Sequence, residues 1–192
     1  MPKYLPVRQR QTGLSLLEVL VATLVLSAGL LGLAGLQIAS MKTTHNSYQM
    51  QQATWLVHDL LERMRANKTE VFVVNSSNVP TSVYLLPASG STPVAASTYC
   101  STALAKDCAT VTDCTHAQVA TFDLYRVMCG YGAGSGSNGV LNTLMNGQMM
   151  VSCPTGDCRS GVRVHLQWDE RNASNQAGAD TESFNISLDS VL

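Results

Sequence analysis

The chain has 192 residues, a formal net charge of -1 at pH 7, and hydrophobic residues at 45% of its positions. This length suits one modest globular domain together with one additional long element. The 12 lysines and arginines form no cluster beyond the first ten residues, which argues against a protein that binds a nucleic-acid groove.

An apolar run covers residues 14–39 and contains one charged residue, Glu18. Between residues 19 and 36 the only hydroxyl groups belong to Thr23 and Ser27, so the run is long and apolar enough to cross a bilayer core as a helix. A carboxylate near one end of such a helix costs roughly 2.5–3.5 kcal/mol on membrane-insertion scales. Glu18 therefore requires a specific partner.

A short polar leader precedes this run, carries Lys3, Arg8 and Arg10, and ends at Gly13. By the positive-inside rule the leader stays in the cytoplasm and the bulk of the protein is exported. An ordinary cleaved signal peptide has an apolar region of about 7–15 residues closed by an A-x-A-like site, and neither feature is present here. A simple single-pass anchor leaves Glu18 and the Gly13 junction unexplained.

Residues 13–18, with the sequence GLSLLE, resemble the class III signal of type IV prepilins, in which a basic leader ending in glycine is followed by G-[FL]-[ST]-L-[IL]-E. Residues 19–22, 29–37 and 59–67 are similar to the minor pilins called type IV pilus modification proteins (PilV-type). The resemblance is dense over about the first third of the chain and thinner over the rest.

The resemblance implies a processing and assembly pathway. A prepilin peptidase would cut after Gly13 and methylate the new N-terminus at Leu14, although the family usually has phenylalanine at that position. Glu18 would neutralise the terminal amine of a neighbouring subunit, since a close partner in a low-dielectric core compensates a buried charge. The protein would sit in the inner membrane with its head in the periplasm and then enter an extracellular pilus, with other minor and major pilins as partners.

The resemblance thus predicts a minor pilin that helps to prime pilus assembly and has no enzymatic activity and no cofactor. A type II secretion pseudopilin carries the same leader chemistry and is the first alternative. A membrane-anchored adhesin or other binding protein, with its activity in the head, is the second.

The first helix is predicted to continue beyond the apolar run. Trp55, Leu56, Leu60, Leu61 and Met64 recur at helical spacing, and no proline interrupts the chain between residues 14 and 79. Residues 14–66 therefore form a helix of roughly 80 Å at 1.5 Å per residue. The predicted domains are a leader (1–13), this helix (14–66, with 14–39 as its transmembrane or fibre-core part) and a disulfide-containing globular head (67–192).

Whether this helix unwinds near Gly35 stays open, because major pilins often have a proline at that position and their helices are locally unwound there. Close packing through Gly29, Gly32 and Gly35 is the favoured interpretation over local melting.

The head is predicted to combine a second helix with a small antiparallel sheet. Thr115 and Gln118 have the form of a capping box at the start of this second helix, and Gly130 offers a C-cap at its end. Residues 162–168 and 184–188 alternate apolar and polar side chains, which indicates half-buried strands, and residues 147–152 supply a third strand. The fold class is therefore α+β and pilin-like, with a long N-terminal spine helix packed on the sheet.

Residues 71–105 carry no charged side chain and contain three prolines, so loops are expected there with one short strand at residues 83–86. In pilins this segment is the variable connecting region, where partners would bind.

The six cysteines are predicted to form disulfides because all lie on the exported side. A helix between Cys114 and Cys129 holds them roughly 20 Å apart, too far for a bond, which needs about 7 Å between Cα atoms. A turn-like stretch favours the bond from Cys153 to Cys158. Two schemes then remain open: Cys100–Cys114 with Cys108–Cys129, or Cys100–Cys129 with Cys108–Cys114. The second is slightly favoured because its short loop closes at low entropic cost.

No metal site or catalytic constellation is predicted. The cysteine spacings depart from the usual zinc pattern, the four histidines lack metal-binding spacing, and no nucleophile, base and orienting group can be assembled. The acidic residues near the last two strands, Asp169, Glu170, Asp180 and Glu182, could hold calcium, but a solvated loop is the better interpretation.

Overall fold

The computed structural model describes residues 13, 15–87, 92–130, 138–171 and 181–192. The chain divides into two compact units, Met1–His45 and Asn46–Leu192. Helix α1 (Leu16–Ala66) contributes to both units and is continuous past Gly35. The prediction of a long N-terminal helix is thus confirmed.

In the second unit, α1 is amphipathic and buries one face. Six of its residues are at most 3% exposed, and they recur at spacings of three and four as a helical face requires: Ala53, Leu56, Val57, Leu60, Leu61 and Met64. These side chains belong to one core cluster with the buried residues of the sheet, among them Leu166 and Trp168. Removing this apolar surface from water fixes the C-terminal part of α1 to the head.

The sheet has four antiparallel strands in the order β1-β2-β3-β4: β1 (Val94–Ala95), β2 (Gln148–Ser152), β3 (Val162–Arg171) and β4 (Thr181–Ser190). The central strand β3 alternates buried and half-buried side chains, as its sequence predicts. In register across the last pair, Leu166 faces Ile186 and Trp168 faces Phe184. Because β4 is an edge strand, Ile186 and Phe184 are only partly buried.

Helix α4 (His116–Cys129) begins and ends where the sequence predicts. The Gln118 amide donates to Thr115 Oγ1, and the Thr115 amide donates to Gln118 Oε1, which completes the capping box. Gly130 ends the helix with φ of 84°, a conformation that glycine adopts without a Cβ penalty. Three short helices complete the head: α2 (Lys68–Val71), α3 (Ala96–Tyr99) and α5 (Val140–Thr143).

The predicted strand at residues 83–86 is wrong. Of these residues only Leu86 makes a bridge, to Val151, and residues 83 and 84 form a turn. The Val83 amide donates to Glu70 Oε1 at 2.9 Å and the Tyr84 amide donates to Ser82 Oγ at 3.2 Å. Side-chain acceptors thus occupy the donors that a strand ladder would use. Strand β1 was not predicted, because two residues are too few for an alternation to show.

Candidate functional site

The apolar part of α1 exposes its side chains all round. Every residue from Leu16 to Lys42 is exposed, with Leu31 at 75%. By length and composition this helix could cross a membrane, with a mean hydropathy of 2.3 over its most apolar window. Such a surface is unfavourable in water, so it requires an apolar environment.

The two hydroxyl groups in the most apolar stretch of this surface are satisfied within the helix. Thr23 Oγ1 donates to the Leu20 carbonyl at 2.9 Å, and Ser27 Oγ donates to the Thr23 carbonyl at 2.6 Å. Neither hydroxyl needs water or a partner helix for its hydrogen bond, which suits a segment that enters a medium without hydrogen-bonding groups.

Glu18 lies in the first turn of α1, where the positive end of the helix dipole favours a carboxylate. Its amide donates to the Ser15 carbonyl at 3.0 Å, and the carboxylate has no hydrogen bond or ion pair to any described residue. Among the described residues, no atom lies within 4 Å of the place that a Cβ of Gly13 would occupy. Leu14 and the basic residues of the leader lie outside the described residues, so the predicted cleavage and methylation remain predictions.

The head holds the end of α1 through a polar network that the sequence did not reveal. The guanidinium of Arg63 lies between two carboxylates, donating to Asp59 Oδ2 at 3.0 Å and to Asp123 Oδ1 at 3.1 Å. Burial acts to lower the pKa of Arg63, but the hydrogen bonds and charges of Asp59 and Asp123 outweigh it and raise this pKa. Arg63 therefore stays charged and links α1 to α4.

Tyr84, from the connecting segment, completes the same network. Its hydroxyl donates to Asp123 Oδ2 at 2.6 Å, so both oxygens of this buried carboxylate accept a hydrogen bond. Burial and the neighbouring Asp123 charge raise the pKa of Tyr84 well above its ordinary value, so the hydroxyl stays protonated and remains a donor.

Asn67, directly after α1, extends the network to the start of α4. Its Nδ2 donates to the His116 carbonyl at 2.8 Å and to the Tyr84 hydroxyl at 3.3 Å, and its Oδ1 lies 2.8 Å from His116 Nδ1. Asn67 is 5% exposed, and these contacts satisfy both the nitrogen and the oxygen of its side-chain amide. The network is thus closed on itself and serves structure, since its polar groups are paired with one another.

The six cysteines form the bonds Cys100–Cys129, Cys108–Cys114 and Cys153–Cys158. This is the second of the two schemes that the sequence left open. The first bond ties the end of the α3 segment to the end of α4, and the other two close short loops. No cysteine remains free, so none offers a thiolate to a metal.

The acidic residues near the last two strands do not converge in the part of the chain that the structure describes. Asp169 accepts from Asn146 Nδ2 at 3.0 Å and from Ser183 Oγ at 2.9 Å, while Glu170 points inward and accepts from Trp168 Nε1 at 3.4 Å. Asp180 lies outside the described residues. Among the described side chains, no group of three or more histidine, cysteine, aspartate and glutamate residues could hold a metal ion.

Residues 35–85 match the family model Tt1218-like, described as "Type IV pilin Tt1218". This match covers the C-terminal part of α1 and the connecting segment that follows it. It supports the type IV pilin superfamily for this chain, and with it a pilin-like structural subunit of a non-enzymatic family. No curated protein and no solved structure matches the chain.

Proposed function

We propose that this protein is a minor pilin of a bacterial type IV pilus, of the PilV type, which joins other pilins through α1 and helps to prime assembly. The observation that carries the proposal is the exposed apolar part of α1 with a single carboxylate, Glu18, in its first turn. A surface of this kind needs other apolar helices or lipid around it, and its one charge needs a partner.

The head supports the same function. Hydrophobic burial and the Arg63 network fix it to the end of α1, and three disulfides cross-link the head itself, so a contact on the head acts on that end of the helix. In this proposal the leader is cytoplasmic, prepilin peptidase cuts after Gly13 and methylates Leu14, and the head is periplasmic before the subunit enters the pilus.

Glu18→Ala tests the proposal. Removal of the charge improves membrane insertion or leaves it unchanged, whereas incorporation into sheared pili falls, because the partner's terminal amine loses its counter-charge. Quantitative immunoblots of membrane and pilus fractions measure both effects. Intact-mass analysis of the exported protein checks processing: a chain that begins at Leu14 with one extra methyl is expected. Wild-type incorporation of Glu18→Ala would show that the charge-pairing role is wrong.

A further inference from the structure

Two Asn-Gly dipeptides flank the short helix α5 in the head, Asn138-Gly139 before it and Asn146-Gly147 after it. Both asparagines have a positive φ, 79° for Asn138 and 52° for Asn146, which asparagine tolerates. Packing requires glycine at both following positions, because a Cβ on Gly139 would clash with backbone atoms and a Cβ on Gly147 with a valine side chain. The fold therefore retains two dipeptides in which nothing hinders attack by the glycine nitrogen on the asparagine side chain.

The reaction of such a dipeptide needs water and no enzyme. The backbone nitrogen of the glycine bonds to the side-chain carbonyl carbon of the asparagine, a five-membered succinimide ring closes, and the side-chain nitrogen leaves as ammonia with the proton of the amide. Water then opens the ring at either carbonyl and gives aspartate or isoaspartate. The reaction requires that the glycine nitrogen be free to approach and that the asparagine side chain be free to turn toward it.

Asn146 is restrained at both reacting groups. Its Nδ2 donates to Asp169 Oδ2 at 3.0 Å, and the amide of Gly147 donates to the Leu144 carbonyl at 3.2 Å. Ring closure at Asn146 would break both hydrogen bonds, one of which is made to a charged carboxylate and is therefore the stronger kind.

Asn138 has neither restraint. Its side chain is exposed and makes no hydrogen bond to any residue that the structure describes, and the Gly139 amide donates to none of these residues. We propose that Asn138 is a site of spontaneous conversion to aspartate and isoaspartate, whereas Asn146 is protected by its hydrogen bonds. The product carries a new negative charge, and isoaspartate adds one carbon to the main chain. Both changes arise directly before Gly139, whose backbone packs on that of Cys129 and Gly130.

Incubation of the purified full chain in mildly alkaline buffer, followed by peptide mapping with mass spectrometry, tests the proposal. Asn138 should convert about a hundredfold faster than Asn146, because only the reaction at Asn146 requires the loss of two hydrogen bonds. In the reduced chain unfolded in urea the two rates should approach each other, since both asparagines precede glycine. Equal rates in the folded chain, faster conversion at Asn146, or no conversion at Asn138 would overturn the proposal.

Substitution of Asp169 tests the protection directly. Asp169→Ala removes the partner of the Asn146 side chain, so conversion at Asn146 should rise about tenfold while the rate at Asn138 stays unchanged. Ser183→Ala is the matched control, because it removes the other hydrogen bond to Asp169, at 2.9 Å, and leaves Asn146 in contact. Circular dichroism and the disulfide pattern check that both variants fold. An unchanged rate at Asn146 in Asp169→Ala would overturn the protective role of this hydrogen bond. These rates are measured on the isolated chain, so they do not depend on the proposed function.

Discussion

The stability of the head should depend on which of the two carboxylates beside Arg63 is neutralised. Asp123 has an 8% exposed side chain and accepts from both Arg63 and Tyr84, whereas the side chain of Asp59 is 27% exposed and lies one turn from Arg63 on the same helix. Asp123→Asn and Asp59→Asn thus each remove one negative charge next to Arg63. The first removes it at a buried position and the second at a partly exposed one.

Asp123→Asn weakens two hydrogen bonds to a charged group, each contributing about 1.5–3 kcal/mol. Arg63 keeps Asp59 and its side chain is 29% exposed, so water and Asp59 recover part of the loss. We expect a loss of about 3 kcal/mol in the free energy of unfolding. Asp59→Asn removes only an i,i+4 pair and should cost less than about 1 kcal/mol.

Urea denaturation of the detergent-solubilised chain measures both values. Trp168 is fully buried and reports on the head by fluorescence, and a Trp55→Phe background removes the signal of the exposed tryptophan. The exposed bidentate pair of Arg163 and Asp189 supplies a further control, since Asp189→Asn should lower stability much less than Asp123→Asn does. Equal losses for Asp123→Asn and Asp59→Asn would refute the reasoning that burial of the network determines its contribution.

Two further predictions concern the same unit. The pKa of Tyr84 is raised in the folded chain, so at pH values above about 10, the ordinary tyrosine pKa, unfolding releases its proton. Urea titrations at several pH values should therefore show that the wild type loses stability above about pH 10 more steeply than Tyr84→Phe does. Parallel curves for the two proteins would contradict this. Replacing Cys100 and Cys129 by serine opens a loop with a sequence separation of 29 and should lower the free energy of unfolding by about 3.5 kcal/mol. The same change at Cys108 and Cys114, with a separation of 6, should lower it by about 2 kcal/mol. Thermal unfolding measures both losses, and the reverse order would contradict the loop-entropy account.

The parts of the fold that could be predicted are those set by local patterns. The capping box of Thr115 and Gln118 specifies the start of α4 within one turn, and the alternation of residues 162–168 specifies both the strand and its buried face. The disulfide scheme followed in part from the same helix, because α4 separates Cys114 from Cys129.

The parts that could not be predicted depend on residues far apart in sequence. Asp123 and Arg63 are 60 residues apart, and Asn67 and His116 are 49 apart, so no periodicity brings either pair together. Residues 83–86 do not form the predicted strand, although their apolar character suits one. The acceptors that bend them, Glu70 and Ser82, cannot be identified as acceptors from a local pattern.

The polar network selects the register of α1 on the head, which the hydrophobic face of α1 alone does not specify. Leu56, Leu60 and Met64 repeat one turn apart, so apolar contact alone would tolerate a shift of the helix by one turn, because hydrophobic burial is non-directional. Such a shift moves the helix by about 5.4 Å. Arg63 could then no longer reach Asp123 at hydrogen-bond distance, and this buried carboxylate would lose its cationic partner and keep only the Tyr84 hydroxyl. The cost of an unpaired buried charge therefore selects one register of helix on head, as buried polar residues do in other helical contacts. In the proposed function a fixed register matters because neighbouring subunits would contact the helix, and an error of one turn would shift those contacts by about 5.4 Å.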